Sequence, residues 1–351
     1  MVFSLLISLL RRHSSVRLLL FGLSYKSIIK RHAGEGRHPV LLTTKKNLDT
    51  GLRRYDGNLL LLTVALLCIS PILSAQPITV TDDLGNTISI PKPAERIIAL
   101  SPHSVEQLFS LGVGDKIIGT VQYADYPEQA KQIKRIGDAM TINFEEVFAL
   151  KPDLVVAWGK GTSQASIEKL KRLNIPVFLS GSSTLKDIST SLRRLGKLTG
   201  REAKATDLIN ELESKLQQYS NAANSISKKK LKVFVQVWGS PLRTIGGGHM
   251  VDELIQTCGG QNIYVDQQQA SPVVSIESLL QRDPEMIVLN NKKGGFSGRL
   301  SELIKPWMNI KAVKRNNICK VDFDTLLRPT MRVLKAVDVL CGCIAKDSLN
   351  P

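Results

Sequence analysis

Apolar and polar positions alternate in two distinct periods along this chain, and one stretch organises the rest. In residues 199–223 (TGREAKATDLINELESKLQQYSNAA), Leu208, Leu212, Leu216 and Tyr219 recur at helical spacing and no proline intervenes. Thr199 followed by Glu202 reads as a capping-box pair. The pattern predicts one helix over 199–224, about 35 Å long at 1.5 Å per residue. On either side, short apolar runs alternate with helical periods. Residues 97–100, 117–121, 154–158 and 177–179 read as buried strands. Residues 104–111, 143–149, 163–173 and 185–198 read as helices between and after them. This alternation predicts a parallel sheet. An alternating hairpin around Asp83-Leu84-Gly85-Asn86 precedes it.

Beyond the long helix the grammar repeats. Residues 232–238 (KVFVQVW) read as a strand. Residues 251–263 echo 105–117, and 276–288 (IESLLQRDPEMIV) echo 144–156 (FEEVFALKPDLVV), with Glu277 on Glu145 and Pro284 on Pro152. A repeat this long is a duplicated lobe, since solenoid units run about 20–50 residues. The expected fold is α/β: two similar lobes with central parallel sheets joined by one long backbone helix. The expected organisation is an N-terminal extension over 1–57, a signal peptide over 58–75, a lobe over 76–198, the helix over 199–224 and a second lobe over 225–351.

Composition agrees with a globular chain of 351 residues, 43% hydrophobic and 22% charged. The net charge of +16 is concentrated early. Residues 1–75 hold 11 Lys/Arg against 3 Asp/Glu, leaving 36 basic against 28 acidic groups afterwards. No basic stripe interleaved with aromatics remains, so a nucleic-acid partner is not expected. Residues 58–75 (NLLLLTVALLCISPILSA) follow Lys45, Lys46, Arg53 and Arg54, too short for a span and suited to a signal peptide cleaved near Ala75. Export implies an oxidising compartment for Cys258, Cys319, Cys341 and Cys343, which allow three full pairings. No G-x-S-x-G, H-E-x-x-H or phosphate loop is present, so there is no motif for a catalytic reading and none for a metal.

Several motifs carry a resemblance: Ala99-Leu-Ser-Pro102, Tyr123-Ala-Asp-Tyr-Pro127, residues 149–158 (ALKPDLVVAW), Cys258-Gly-Gly-Gln-Asn-Ile263 and 324–332 (DTLLRPTMR). With them the chain resembles the exported, helical-backbone (class III) periplasmic binding proteins, which serve ABC importers of cobalamin, haem and ferric siderophores. The similarity covers 76 to about 347 and is strongest to the cobalamin-binding members. It implies a soluble periplasmic protein with no cofactor of its own. Cobalamin would be the transported ligand, and an importer permease with its ATPase the partners. It also implies a Cys258–Cys341 disulfide, leaving Cys319 and Cys343 open. Haem or a ferric siderophore is the alternative cargo. A two-lobed enzyme of the nitrogenase-component type is the alternative class, against which the signal peptide and the absence of clustered cysteines in the first lobe speak.

In parallel α/β sheets ligands bind beyond the carboxyl ends of the strands. A corrinoid has a broad apolar face and an amide-fringed rim, so the cleft needs aromatic walls and a few polar groups. Tyr123, Trp158 and Trp238 supply rings; Arg243, Asp324 and Arg328 supply polar contacts. The resemblance places Tyr123, Trp158, Asp324 and Arg328 at ligand-contacting positions. Asp324 and Arg328, four residues apart, also fit a simple local salt bridge. Gly246–Gly248 are expected to let the chain pass close to a ligand. Ser271 and Leu179 stand where the cobalamin binders carry aromatics, which reduces the ring count. His103 and His249 are the two histidines after residue 75. They read either as axial or cleft ligands or as ordinary residues at the starts of helices. Docking in this family uses an acidic residue on each lobe. Glu277 matches the second-lobe position. Gln164 stands at the first-lobe position, making Glu145 and Glu168 the candidates there.

Overall fold

The computed structural model describes residues 76–138, 141–181, 183–226, 229–291 and 307–348. The expected extension and signal peptide, 1–57 and 58–75, lie outside them. The chain begins with an antiparallel hairpin, β1 (Ile78–Thr81) and β2 (Thr87–Ile90), paired Ile78 to Ile90. Asp82 closes its turn by accepting from the backbone N–H groups of Leu84 (2.9 Å) and Asn86 (2.7 Å).

The first lobe is built on β3 (Ile97–Ala99), β4 (Ile117–Thr120), β5 (Leu154–Trp158) and β6 (Val177–Ser180). They pair in the order β4-β3-β5-β6, all parallel. Helices α1 (Pro102–Ser110), α2 (Phe144–Leu150), α3 (Gln164–Arg172) and α4 (Leu185–Thr199) flank them. The second lobe carries β7 (Leu231–Val235), a small hairpin of β8 (Trp238–Gly239) and β9 (Leu242–Arg243), then β10 (Gly260–Asn262), β11 (Met286–Asn290) and β12 (Ile318–Val321). Its sheet order is β10-β7-β11-β12, again parallel throughout. Its helices are α6 (Met250–Thr257), α7 (Ile276–Arg282), α8 (Lys311–Lys314), α9 (Phe323–Leu326) and α10 (Val333–Ser348).

The sequence repeat is a repeat of backbone. Helices α2 and α7 each begin behind a side-chain cap, Asn143 and Ser275. Each stops at a left-handed residue, Lys151 (φ 47°) and Asp283 (φ 45°), before a proline. The two sheets match strand for strand: β4 with β10, β3 with β7, β5 with β11 and β6 with β12.

The helix between the lobes, α5, runs Glu202–Ile226, starting three residues later than the spacing predicts. Thr199 does not cap it. Its hydroxyl donates back to the Leu195 carbonyl at 2.7 Å, closing α4 instead. Gly200, at φ 67°, then takes the left-handed conformation that ends α4. Helices α4 and α5 approach closely because Gly196 has no side chain, and a Cβ there would lie 2.6 Å from that of Ala205. Farther along, α5 packs on α6 and α10 of the second lobe. Tyr219 donates to Asp338 on α10 at 2.5 Å. One apolar core runs along this spine, including Leu195, Ala205, Leu212, Leu254 and Leu340. Helix α10 is stapled twice, by Cys258–Cys341 and by Cys319–Cys343.

Candidate functional site

The carboxyl ends of the two sheets present aromatic rings to solvent. Trp158, the last residue of β5, is 38% exposed, so it lies at the surface rather than in the core. Its ring stands edge-on to His103, with centroids 5.7 Å apart at 87°. Gly161 makes room for it, since a Cβ there would fall 1.8 Å from the indole. Tyr123 follows β4 and is 79% exposed, held at φ 65° where non-glycine residues are rare. In the second lobe Trp238, 45% exposed, pairs across the β8–β9 hairpin with Arg243. Trp238 Nε1 donates to the Ser240 carbonyl at 3.0 Å, and Arg243 Nη1 to the Ser271 carbonyl at 2.9 Å.

The expected pair, Asp324 and Arg328, does form a salt bridge, Nη2 to Oδ1 at 3.0 Å, but it belongs to a larger network between the lobes. Arg328 Nη1 also reaches Glu106 Oε1 of α1 at 2.8 Å and lies 4.0 Å from Asp125. Arg332 Nη1 donates to the same Glu106 oxygen at 2.8 Å, and its guanidinium stacks 3.9 Å over Tyr126. The network joins the loop after Tyr123 to the segment after α9.

The two histidines occupy equivalent places in the repeat, each at the start of a helix. His103 Nε2 lies 3.2 Å from Ser101 Oγ. His249 caps α6, its Nδ1 accepting from the Val251 N–H at 3.1 Å. Burial lowers the pKa of each to about 4, reinforced by a cation from the opposite lobe: Arg328 for His103 and Lys160 for His249. Both rings are therefore neutral at pH 7 and locally hydrogen-bonded, as residues at helix starts. Near His249 the lobes meet a second time. The Met250 N–H donates to the Ser183 carbonyl (2.7 Å) and the Leu185 N–H to Glu253 Oε2 (2.9 Å).

Two of the three glycines expected to approach a ligand approach backbone instead. A Cβ on Gly246 would sit 2.0 Å from the Gln269 carbonyl oxygen, and one on Gly247 2.2 Å from that of Val265. Gly248 takes a positive φ of 74°. These residues fold the chain against 265–269.

Glu277 and Glu145 are the second residues of the matching helices α7 and α2, and both are exposed. Hydrogen bonds from its own backbone N–H and from Ser275 hold Glu277 below the usual carboxylate range. Glu168 is engaged by Gln164 Nε2 at 2.7 Å. No cluster of three potential metal ligands occurs among the described residues.

Glu106, Arg332, Tyr126 and Lys160 were missed from the sequence. One signal was present for Glu106. It stands between Val105 and Leu108 on a helix whose neighbours are buried, and the repeat places another buried acid, Asp252, at the equivalent position.

Residues 97–325 match the periplasmic binding protein family. A vitamin B12-binding protein of Vibrio campbellii is 33% identical over 250 residues, spanning 71% of this chain and 89% of that protein. The crystal structure of a periplasmic vitamin B12 binding protein of Vibrio cholerae superposes with a TM-score of 0.66 at 30% identity, covering 74% of this chain and all but 1% of the other (99%). A periplasmic heme-binding protein of Roseiflexus sp. RS-1 shares the fold, with a TM-score of 0.66 at 20% identity over 73% of this chain and 99% of that one. Duplicated parallel sheets, a single helical spine and these relatives agree: the chain belongs to the periplasmic binding protein family.

Proposed function

We propose that the protein captures cobalamin, or a related corrinoid, between its lobes and delivers it to an ABC importer. One observation carries this reading. Three solvent-facing rings, Tyr123, Trp158 and Trp238, stand at the carboxyl ends of the sheets together with the Asp324–Arg328 pair. The rings suit the flat face of a corrin and the charged pair its amide rim. The similarity to vitamin B12-binding proteins over most of their length supports the same ligand. Residues 58–75 export the chain, and it binds without catalysing a reaction. Glu277 and Glu145 form the docking pair for the permease. They occupy matching helix starts, each beside an exposed apolar residue one turn on, Leu280 and Phe148.

Titration of the exported protein with cyanocobalamin, haemin and a ferric siderophore, read by tryptophan fluorescence, tests the ligand. Quenching by cyanocobalamin, weakened at least tenfold by Trp158→Ala, is the expected result. Silence toward cyanocobalamin with a Soret shift on adding haemin overturns it.

A further inference from the structure

We infer that Glu106 is a positioning residue for the ligand cleft: a first-lobe carboxylate that fixes Arg328 and Arg332 of the second lobe, so that the polar floor of the site is assembled from both lobes at once. This rests on the cleft between the lobes being the ligand site.

Glu106 is only 2% exposed. A carboxylate at that depth persists only if its oxygens are filled by donors. Both are. Oε1 accepts from Arg328 Nη1 and Arg332 Nη1, each at 2.8 Å, and Oε2 accepts the Thr330 hydroxyl at 2.8 Å. All three donors lie within five residues of the second lobe, 222 to 226 positions along the chain. The next residue, Gln107, donates to the Pro329 carbonyl at 2.8 Å. Arg328 is thereby held between Glu106 and Asp324, while the Arg332 guanidinium lies over the Tyr126 ring. Charge-assisted bonds of this kind restrict a long side chain to one orientation.

The other half of the molecule provides an internal control. Its equivalent acid, Asp252, is also buried, yet among the described residues no arginine of the first lobe bonds to it. Asp252 Oδ2 accepts from Gln256 of its own helix at 2.8 Å. The equivalent contact between lobes uses backbone groups of Ser183, Leu185 and Met250, with Glu253. The fold can therefore join its lobes without an ionic cluster. The cluster occurs on the side where Arg328 pairs with Asp324 and its charge acts on His103, the ring partner of Trp158, which assigns it to the site rather than to the architecture.

The test combines a binding cycle with a readout that needs no ligand. Affinity for cyanocobalamin is measured for the wild type, Glu106→Gln, Arg328→Ala and the double variant. Each single change is expected to weaken binding at least tenfold, and the double variant to lie within about twofold of Arg328→Ala alone, because Glu106 acts through Arg328. Multiplicative effects overturn the inference. Amide hydrogen exchange of the ligand-free protein is followed over 328–332. Faster exchange there in Glu106→Gln is expected, and unchanged exchange overturns the positioning role whatever the ligand. Faster exchange in a protein that ignores cyanocobalamin leaves the positioning role intact and overturns the ligand reading. Thr330→Val removes only the donor to Oε2 and serves should Glu106→Gln fail to fold. It is expected to weaken binding about two- to fivefold and to quicken the same amides, and exchange like the wild type again overturns the inference.

Discussion

Lowering the pH should loosen this protein before its carboxylates titrate, and His103 is the group to watch. It is 7% exposed, its pKa is lowered from 6.5 to about 4, and the main cause is burial, with Arg328 adding to it. Between these two values the unfolded chain binds a proton that the folded chain refuses, so stability falls as pH drops through about 6.5 and levels off below about 4. The full effect is about 3 kcal/mol, and at pH 5 about 2 kcal/mol of it is already lost. His249, its pKa also lowered by burial to about 4, acts in the same direction. Asp252 and Glu253, whose pKa values burial raises, work the opposite way, because the folded state takes up their protons above the ordinary carboxylate range as pH falls. Comparing the wild type with His103→Gln isolates the histidine, since the amide keeps polarity and cannot be protonated in this range. Urea unfolding at pH 7, 6 and 5 is the assay. The wild type should lose about 2 kcal/mol more than His103→Gln between pH 7 and 5. Parallel losses in the two proteins refute the argument, because they would mean that this ring does not remain neutral in the folded state.

Other consequences are equally direct. Gly161→Ala places a methyl group inside the space of the Trp158 ring; tryptophan emission should shift and cyanocobalamin affinity fall, with the far-UV circular dichroism unchanged. Removing the second staple with Cys319→Ser and Cys343→Ser opens a loop of 24 residues, and guanidinium unfolding should show a loss of about 3 kcal/mol on the chain-entropy view. Charge reversal at Glu145 or Glu277 should leave ligand affinity within about twofold of the wild type while uptake of labelled cobalamin into cells falls; normal uptake with both reversed would remove them from the docking surface.

Much of the architecture was legible because it is written in short range. Period-2 and period-3.6 patterns, and the matched stretches 144–156 and 276–288, are properties of neighbouring residues, and they yielded two parallel-sheet lobes and the helix between them. The rings of Tyr123, Trp158 and Trp238 were readable for a similar reason, since each closes or follows a recognisable strand. Where two local signals competed, the sequence misled. Thr199 with Glu202 imitates a cap, but Gly200 offers the left-handed turn that ends one helix before the next begins. The glycines at 246 and 247 likewise announced close approach without saying to what. Tertiary structure alone decided the partners: the pairing of Cys319 with Cys343, the backbone beneath those glycines, and the two arginines that meet Glu106 from more than two hundred residues away. The first two are settled within the second lobe, whereas the last depends on how one lobe lies against the other. That arrangement follows from packing both lobes along α5, and no local pattern of residues carries it.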